Sequence, residues 1–359
     1  MQKNELPELS GSCKVGSTSC LLMDDSRPVH LAAENNGRTL FIKIWYPADD
    51  SPNQEGRKER LWHELQNDAA VPGIMKLLLK RTTRIATNSY IQPEYLKEIS
   101  RQKILIYSHG MISFAAENTY LMEDLASHGY IVISIQHSAQ LEELQSLQKS
   151  QSKDVRELQA AIQKKIKRAN GSERSRFSRE YYESAANTNN IVSARAGDLE
   201  FVLKNMDRIM ESIPGTEYSS PNTEAVGVMG LSLGGAVATD FAKYDNRVKF
   251  VVNMDGGIYG TRLAQPVTTP YLMLYSHANN GCNEHSLFAE DSEFIQCKTI
   301  EDTRHLNYHD ISMIYPVLRR LGITGKVKPL DAIRLRNNHI IRFVRSNFDG
   351  DLGDEPVGI

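Results

Sequence analysis

The sequence lacks a long hydrophobic run and a surplus of either charge. No stretch approaches the roughly 18 to 20 consecutive apolar residues that a membrane-spanning helix needs. Its 359 residues carry 42 Lys and Arg against 44 Asp and Glu, which gives a net charge of −2. Nucleic-acid binding depends on a clustered cationic surplus, so this balance argues against a nucleic-acid partner. Neither a membrane-spanning protein nor a nucleic-acid-binding protein is indicated.

Cysteine is also scarce, with four residues that form two local pairs, Cys13 with Cys20 and Cys282 with Cys297. None of them has the spacing of a metal site, and the pattern favours free thiols over two disulfides. The opening residues, MQKNELPELSGS, lack the apolar core of a secretory signal. This favours a cytoplasmic protein, or a secreted one if the chain is a processed form.

What the sequence does contain is an ordinary globular composition, with 40% hydrophobic and 24% charged residues. Short β-rich runs alternate with helical patterns, which predicts one α/β domain over residues 1–359 with a mostly parallel, doubly wound sheet. The predicted strands are 38–46 at a sheet edge, 103–108, 130–135, 226–229, 248–254 and 271–275. The predicted helices are 120–128, 189–213 and 232–244.

Two segments interrupt this alternation. Residues 62–95 contain the apolar run GIMKLLL, Gly73 to Leu79, which is interpreted either as a helix packed on the core or as a lid that touches lipid. Residues 141–183 are polar and helical with a broken apolar stripe, and they are expected to form a helical cap on the main domain.

The sharpest chemical signal is the GxSxG pattern from Gly230 to Gly234, centred on Ser232. It directly follows the predicted strand AVGVM and precedes a helical run. A nucleophile elbow requires this order of strand, tight turn and helix, with very small residues flanking the serine. We therefore expect Ser232 to be a catalytic nucleophile.

A serine nucleophile needs a histidine to accept its proton and an acid to orient that histidine. In α/β hydrolases the acid and then the histidine follow the serine along the chain. Asp255 closes the strand VKFVVNMD and is the candidate acid. His305 is the candidate base and His309 its rival. His277 and His285 are weaker alternatives.

Acyl transfer also requires two N–H donors aimed at the oxyanion. The backbone N–H of Leu233, the residue after the nucleophile, supplies one. The second is expected from the turn after the strand ILIYS, where His109 and Gly110 precede Met111. Met111 is therefore the second predicted donor, and His109 is given no catalytic role.

These motifs resemble the plasma and type II platelet-activating factor acetylhydrolase family of α/β hydrolases. The resemblance extends over most of the chain and is carried by KVGSTSCLLMDDSRP, IKIWYPA, SHGM, EDLASHGYIVISIQH, GLSLGGAVA, NMDGG, HLNYHDIS, GITGKVKPLDAI and IIRFVRSNF. One departure is Leu231, where the family usually has histidine or a similar residue. The histidine segment of the family favours His305 over His309.

The resemblance implies an α/β-hydrolase fold with lid or cap insertions and a triad of Ser232, Asp255 and His305. Met111 and Leu233 would be the oxyanion donors. The implied activity is calcium-independent hydrolysis of short or oxidised sn-2 acyl esters of phospholipids. The apolar run of residues 73–79 is the feature that would give peripheral membrane contact. No metal or organic cofactor is expected, because backbone dipoles stabilise the developing charge. The alternatives are a short-chain carboxylesterase or polyester hydrolase that does not act on phospholipid, and a catalytically silent binding module.

Overall fold

The structure, a computed structural model, describes residues 5–29, 36–49, 57–66, 79–97, 102–138, 152–216, 222–283 and 293–350. The strands are β1 (Lys14–Pro28), β2 (Asn36–Ala48), β3 (Lys58–Arg60), β4 (Ala86–Ile91), β5 (Lys103–Ser108), β6 (Tyr130–Gln136), β7 (Val226–Leu231), β8 (Val248–Met254), β9 (Tyr271–Ser276) and β10 (Ile295–Ile300). The helices are α1 (Thr119–Ser127), α2 (Lys153–Arg168), α3 (Gly171–Glu183), α4 (Ala186–Lys204), α5 (Met206–Met210), α6 (Leu233–Ala242), α7 (Ile311–Ile314), α8 (Val317–Arg320) and α9 (Pro329–Asp349).

The strands form one ten-stranded sheet in the order β10-β9-β8-β7-β5-β6-β2-β1-β4-β3. From β10 to β6 all neighbours are parallel, whereas β2 runs antiparallel to both β6 and β1. The central strands are almost continuously apolar and fully buried. Strands covered on both faces have this composition, because neither side of the pleat meets water.

Helices cover both faces of the sheet. One face packs its buried aliphatic side chains against α4 and α6. The other face packs against α1 and α9. This doubly wound arrangement is that of an α/β hydrolase, and it confirms the predicted fold class. It brings the carboxyl ends of the parallel strands to one edge of the sheet, where loops can converge to form a site.

The structure differs from the predicted elements in two places. The predicted edge strand 38–46 lies inside the sheet, because β1 pairs with β2 along nearly its whole length. The alternation in this segment reflects one exposed residue among many buried ones and does not indicate an edge position. The predicted helix 189–213 is divided at Asn205 into α4 and α5.

The two segments outside the alternation are described only in part. The apolar run from Gly73 lies outside the described residues except for Leu79, which is buried. In the second segment, α2 and α3 follow residues 139–151, which are also outside the described part. Arg174 of α3 donates to the carbonyls of Ala278 and Asn280, so these helices pack on the loop after β9.

All four cysteines are free thiols. Within the described ranges, no helix combines the length and apolar character required to cross a bilayer.

Candidate active site

Ser232 lies between β7 and α6, in a backbone conformation that few side chains adopt. Its φ is 57° and its ψ −120°. Its amide N–H donates to the carbonyl of Met254 at 2.9 Å, which ties the turn to the end of β8. A non-glycine residue in this region is strained and persists only where the surrounding structure enforces it. The strand, strained turn and helix together form the predicted elbow.

Glycines beside Ser232 allow the turn to be this tight. A side chain on Gly230 would meet the backbone of Gly234, and one on Gly234 would meet the carbonyl of Ser108 at the end of β5. The small-residue requirement of the motif is therefore a packing requirement. Helix α6 begins directly against two neighbouring strands.

Asp255 follows β8 and is also held at positive φ, 52°. Its buried carboxylate accepts three hydrogen bonds. Oδ1 accepts the amide N–H of Ser276 at 2.7 Å, and Oδ2 accepts the side-chain amide of Asn279 at 3.0 Å. The third bond joins Oδ2 to Nδ1 of His305 at 2.7 Å. The carboxylate is thus fixed from two sides while it contacts the imidazole.

His305 opens a short 3₁₀ turn, His305–Tyr308, and its side chain is 47% exposed. Burial would lower the pKa of this imidazole, but the hydrogen bond and charge of Asp255 raise it. The charge of Glu117 adds to that effect, and the pKa lies above its ordinary value. Because Nδ1 faces a carboxylate, this nitrogen carries the proton, and Nε2 is left to act as a base.

The third predicted partner, Ser232, lies at the neighbouring elbow, where its amide N–H bonds to the carbonyl of Met254, the residue before Asp255. Among the residues that the structure describes, the Ser232 hydroxyl makes no hydrogen bond to His305. Nucleophile-to-base hydrogen bonds are often long in unliganded enzymes and shorten when substrate binds. The structure therefore shows an acid and histidine in contact, and a strained serine at an elbow beside them.

Of the rival histidines, the two that the structure describes have other partners. His309 is buried, its Nδ1 accepts the amide N–H of Ile311 at 3.0 Å, and its ring packs edge-on against Trp62. Burial lowers the pKa of His309 to about 3, helped by the charges of Arg336 and His305. The exposed His277 pairs with Glu301. His285 lies outside the described residues.

The two predicted oxyanion donors lie at the ends of β5 and β7. Leu233 is the first residue of α6, and Met111 follows Gly110 in the turn after β5. Within the described ranges, neither of their amide N–H groups donates to another group. A methyl group on Gly110 would lie 3.6 Å from Cβ of Ser232, so the turn after β5 lies against this serine.

A buried hydrogen-bond chain supports this turn, and sequence reasoning missed it. His109 bonds through Nδ1 to the carbonyl of Gly110 at 2.6 Å. Next to it, the hydroxyl of Ser108 contacts Nε2 of His137 at 2.9 Å, and Nδ1 of His137 contacts Asp198 at 2.7 Å. All of these side chains are buried. Burial lowers the pKa of His137 to about 4, so the ring is neutral and structural.

A second residue that sequence reasoning missed is Glu117. Its carboxylate is 1% exposed and accepts the amide N–H of Gly110 at 3.0 Å. No periodic pattern singles out such a loop carboxylate. The only signal is its position eight residues after His109, in the segment where an oxyanion donor is expected.

One group of potential metal ligands occurs in the described ranges, namely Glu59, His63 and Glu64. Lys43 already forms an ion pair with the buried carboxylate of Glu59. That ammonium group supplies the positive charge that a metal ion would otherwise bring. The group is therefore assigned no metal.

Comparison with known proteins gives matches to lipid and ester hydrolases. A putative phospholipase A2 of Schizosaccharomyces pombe is 27% identical over 147 residues, 38% of this chain and 33% of its own length. A platelet-activating factor acetylhydrolase of Bos taurus is 23% identical over 144 residues, 38% of this chain and 29% of its own length. This chain thus matches about a third of each of these two relatives.

Among solved structures, a ferulic acid esterase from Streptomyces cinnamoneus superposes with a TM-score of 0.69 at 18% identity, covering 99% of this chain and 96% of that one. At this identity the likeness shows the fold. The family described as platelet-activating factor acetylhydrolase, isoform II, matches residues 1–354. With nearly the whole chain matched, the protein belongs to the platelet-activating factor acetylhydrolase isoform II family.

Proposed function

We propose that this protein is a serine ester hydrolase that acts through an acyl-enzyme. The observation that carries the proposal is the hydrogen bond between Asp255 and His305 beside the strained elbow of Ser232. A carboxylate bound to Nδ1 of an imidazole fixes the tautomer that a general base requires. Family membership and the esterase fold support the same reaction class.

In the proposed first half-reaction, Nε2 of His305 accepts the proton of Ser232 as the hydroxyl oxygen attacks the ester carbonyl. The N–H groups of Met111 and Leu233 donate to the oxyanion that forms. His305 then gives the proton to the leaving alcohol, and the acyl group stays on Ser232. Each oxyanion donor in such a site is worth roughly 10²- to 10³-fold in rate.

In the second half-reaction, water attacks the acyl-enzyme while His305 takes its proton. The tetrahedral intermediate collapses to release the acid, and the proton returns to Ser232. In both half-reactions, backbone N–H groups stabilise the negative oxyanion and the Asp255 carboxylate stabilises the positive imidazolium. The residues of the chain thus supply every proton transfer.

For the substrate, we propose short or oxidised sn-2 acyl chains of phospholipids. The support is the family match and the names of the two relatives, a putative phospholipase A2 and a platelet-activating factor acetylhydrolase. A panel of esters with acyl chains of two to sixteen carbons, with and without a phosphocholine head group, tests this. Equal rates with and without the head group would contradict the phospholipid assignment and favour a general short-chain esterase.

The test of the reaction itself is the hydrolysis of p-nitrophenyl acetate by wild type and Ser232→Ala. Removal of a triad serine costs about 10⁶-fold in a comparable enzyme, so the variant is expected to be inactive. His305→Ala should be similarly impaired, whereas His277→Ala, at an exposed histidine, is the matched control. Full activity in Ser232→Ala would refute the proposal.

A further inference from the structure

Glu117 is a buried carboxylate in the loop between β5 and α1 that the triad does not account for. Its Oε1 accepts the hydroxyl of Tyr107 at 2.5 Å and the amide N–H of Gly110 at 3.0 Å. Its Oε2 accepts the hydroxyl of Ser113. Both oxygens are therefore bound, and the side chain has a single well-defined position.

This position is beside the candidate nucleophile. A methyl group on Gly110 would lie 3.6 Å from Oε2 of Glu117 and 3.6 Å from Cβ of Ser232. The carboxylate oxygen and the serine Cβ therefore both lie within 3.6 Å of one point beside Gly110. Oε2 is also 3.8 Å from Nε2 of His309.

We propose that Glu117 is a positioning residue for the hydrolysis proposed above, with two effects. By accepting the N–H of Gly110, it holds the turn that aims the next amide, that of Met111, at the oxyanion. Its negative charge acts through space on His305 as a second carboxylate, in addition to that of Asp255. The inference rests on the proposed function.

The electrostatic half of this role comes from the ionised form of Glu117, which predominates above the pKa of that carboxyl group. Burial raises the pKa of Glu117 to about 7, although the hydrogen bonds from Ser113, Tyr107 and Gly110 and the charge of His305 oppose the rise. The same interaction raises the pKa of His305. An imidazolium that forms as Ser232 loses its proton is stabilised by a nearby carboxylate.

Other groups around the pair have fixed charge in the neutral range. Burial raises the pKa of Tyr107 well above its usual value, so the phenol stays neutral. His309 is neutral because burial lowers its pKa to about 3. Arg336 of α9 reaches Asn118, whose side-chain amide donates to the hydroxyl of Tyr107. The charges that raise the pKa of His305 are those of Asp255 and Glu117.

The test is the pH profile of kcat/KM on p-nitrophenyl acetate between pH 5 and 9 for wild type and Glu117→Gln. The amide keeps an acceptor for Gly110 but removes the charge. His305 must be neutral to act as a base, so the rate falls as pH drops through its pKa. Glu117 is charged mainly above its pKa of about 7. Loss of that charge lowers the pKa of His305, so the upper part of the acid limb should move to lower pH by about half a unit.

Glu123 provides a matched control on helix α1. It is fully buried, its pKa is also raised by burial to about 7, and it binds Ser89 and Asn88 rather than groups of the site. Glu123→Gln should leave the acid limb where it is in wild type. An unmoved limb in Glu117→Gln, or an equal movement in both variants, would overturn the charge effect.

The loop-holding effect is tested by comparing Glu117→Ala with Glu117→Gln. The alanine leaves the N–H of Gly110 without its acceptor, and kcat at the pH plateau should fall by ~10²-fold, as for loss of one oxyanion donor. Glutamine should restore most of that rate. Equal rates in the two variants would overturn this half of the proposal.

If the variants at position 117 do not fold, Tyr107→Phe tests the same charge. The carboxylate then loses one donor, its pKa rises further, and it carries less negative charge at a given pH. The acid limb should again move to lower pH, and an unmoved limb would count against the proposal. Inactivity of Ser232→Ala with an unchanged limb in Glu117→Gln would refute this inference alone, whereas full activity of Ser232→Ala would refute the proposed function.

Discussion

At the scale of single residues, the Asp255 carboxylate singles out His305 as the candidate base, because it binds Nδ1 of that imidazole. Two of its three donors are a backbone amide and the side chain of Asn279, neither of which titrates in the physiological range. The third, His305, is the one donor whose charge can change there. The two other donors hold the Asp255 carboxylate in place. The distance between Asp255 and His305 therefore stays the same when the charge of His305 changes.

The raised pKa of His305 predicts how the rate depends on pH. The neutral imidazole is the active form, so kcat/KM should fall as pH decreases through a pKa above the ordinary 6.5 of histidine. Asp255→Asn removes the main negative charge that raises this pKa and leaves burial, which lowers it, opposed by the charge of Glu117. The acid limb should therefore move to lower pH, and kcat should fall by about 10⁴-fold.

This prediction can be checked without an ester substrate, by the rate at which a fluorophosphonate labels Ser232 across the same pH range. His277→Ala, at an exposed histidine paired with Glu301, is the control and should label like wild type. An acid limb that Asp255→Asn does not shift would mean that Asp255 is not the group that sets the pKa of His305.

Residue-level prediction from sequence works where chemistry imposes an order along the chain. That order singles out Asp255 and His305, and the structure brings them together, although their catalytic roles and that of Ser232 remain predictions. Glu117 and Asp198 could not be predicted, because a buried carboxylate in a loop or helix has no sequence pattern of its own. Its burial depends on contacts between distant segments, such as that of Asp198 with His137.

At the scale of elements, the elbow joins β5, β7 and α6 through contacts between backbones. Glycines at 230 and 234 let α6 start against the end of β5, with no room for a side chain. The strain at Ser232 is thus maintained by packing on both sides of the turn. The sequence predicts these elements well because their glycines and apolar runs are local signals.

Element boundaries are predicted less well where the signal is not local. The sequence places strand β2 at an edge, but β1 pairs with it, and β1 itself has a mixed burial pattern. The break at Asn205 between α4 and α5 is also missed. Neither a proline nor a glycine marks that break. Its position is set by tertiary packing, which helix propensities do not describe.

The packing of the elbow predicts that Gly234→Ala destabilises the fold. The added methyl group would meet the carbonyl of Ser108, so strands or helix must shift, at a cost of about 3 kcal/mol or more. Gly171→Ala is the control, since Gly171 has φ 51° but a methyl group added there would have nothing within 4 Å. It should cost only about 1 kcal/mol of backbone strain.

Urea unfolding of the two variants measures this difference. The elbow variant should also lose activity at temperatures where it remains folded, because a shifted α6 moves the N–H of Leu233. Equal destabilisation of both variants would show that the tight contact between α6 and β5 relaxes freely and does not enforce the strained turn.

At the scale of the whole molecule, the C-terminal helix α9 is connected to the candidate active site through one buried cation. Arg336 is fully buried and donates to the carbonyl of Tyr308, at the end of the turn that begins with His305, at 2.7 Å. It also reaches Asn118 at 2.9 Å and Asp310 at 3.4 Å. Three segments far apart in the chain therefore meet at one guanidinium.

This connection links residues near the end of the chain to a candidate site centred on Ser232. The resemblance of the C-terminal segment to the family is visible in the sequence, but its physical role is not. The role depends on α9 crossing the face of the sheet that also carries α1. Such a crossing depends on the complete fold, and no local sequence pattern predicts it.

We therefore predict that Arg336→Met both destabilises the fold and slows the reaction. Methionine fills most of the volume but leaves Asp310 as a buried carboxylate without its cation, which typically costs about 3 to 5 kcal/mol. Arg342→Met, at an exposed arginine of the same helix, should change stability by no more than about 0.5 kcal/mol. Chemical unfolding and kcat on p-nitrophenyl acetate, measured where both variants are folded, separate the two effects. A normal kcat in folded Arg336→Met would show that Arg336 contributes to stability without positioning the turn of His305.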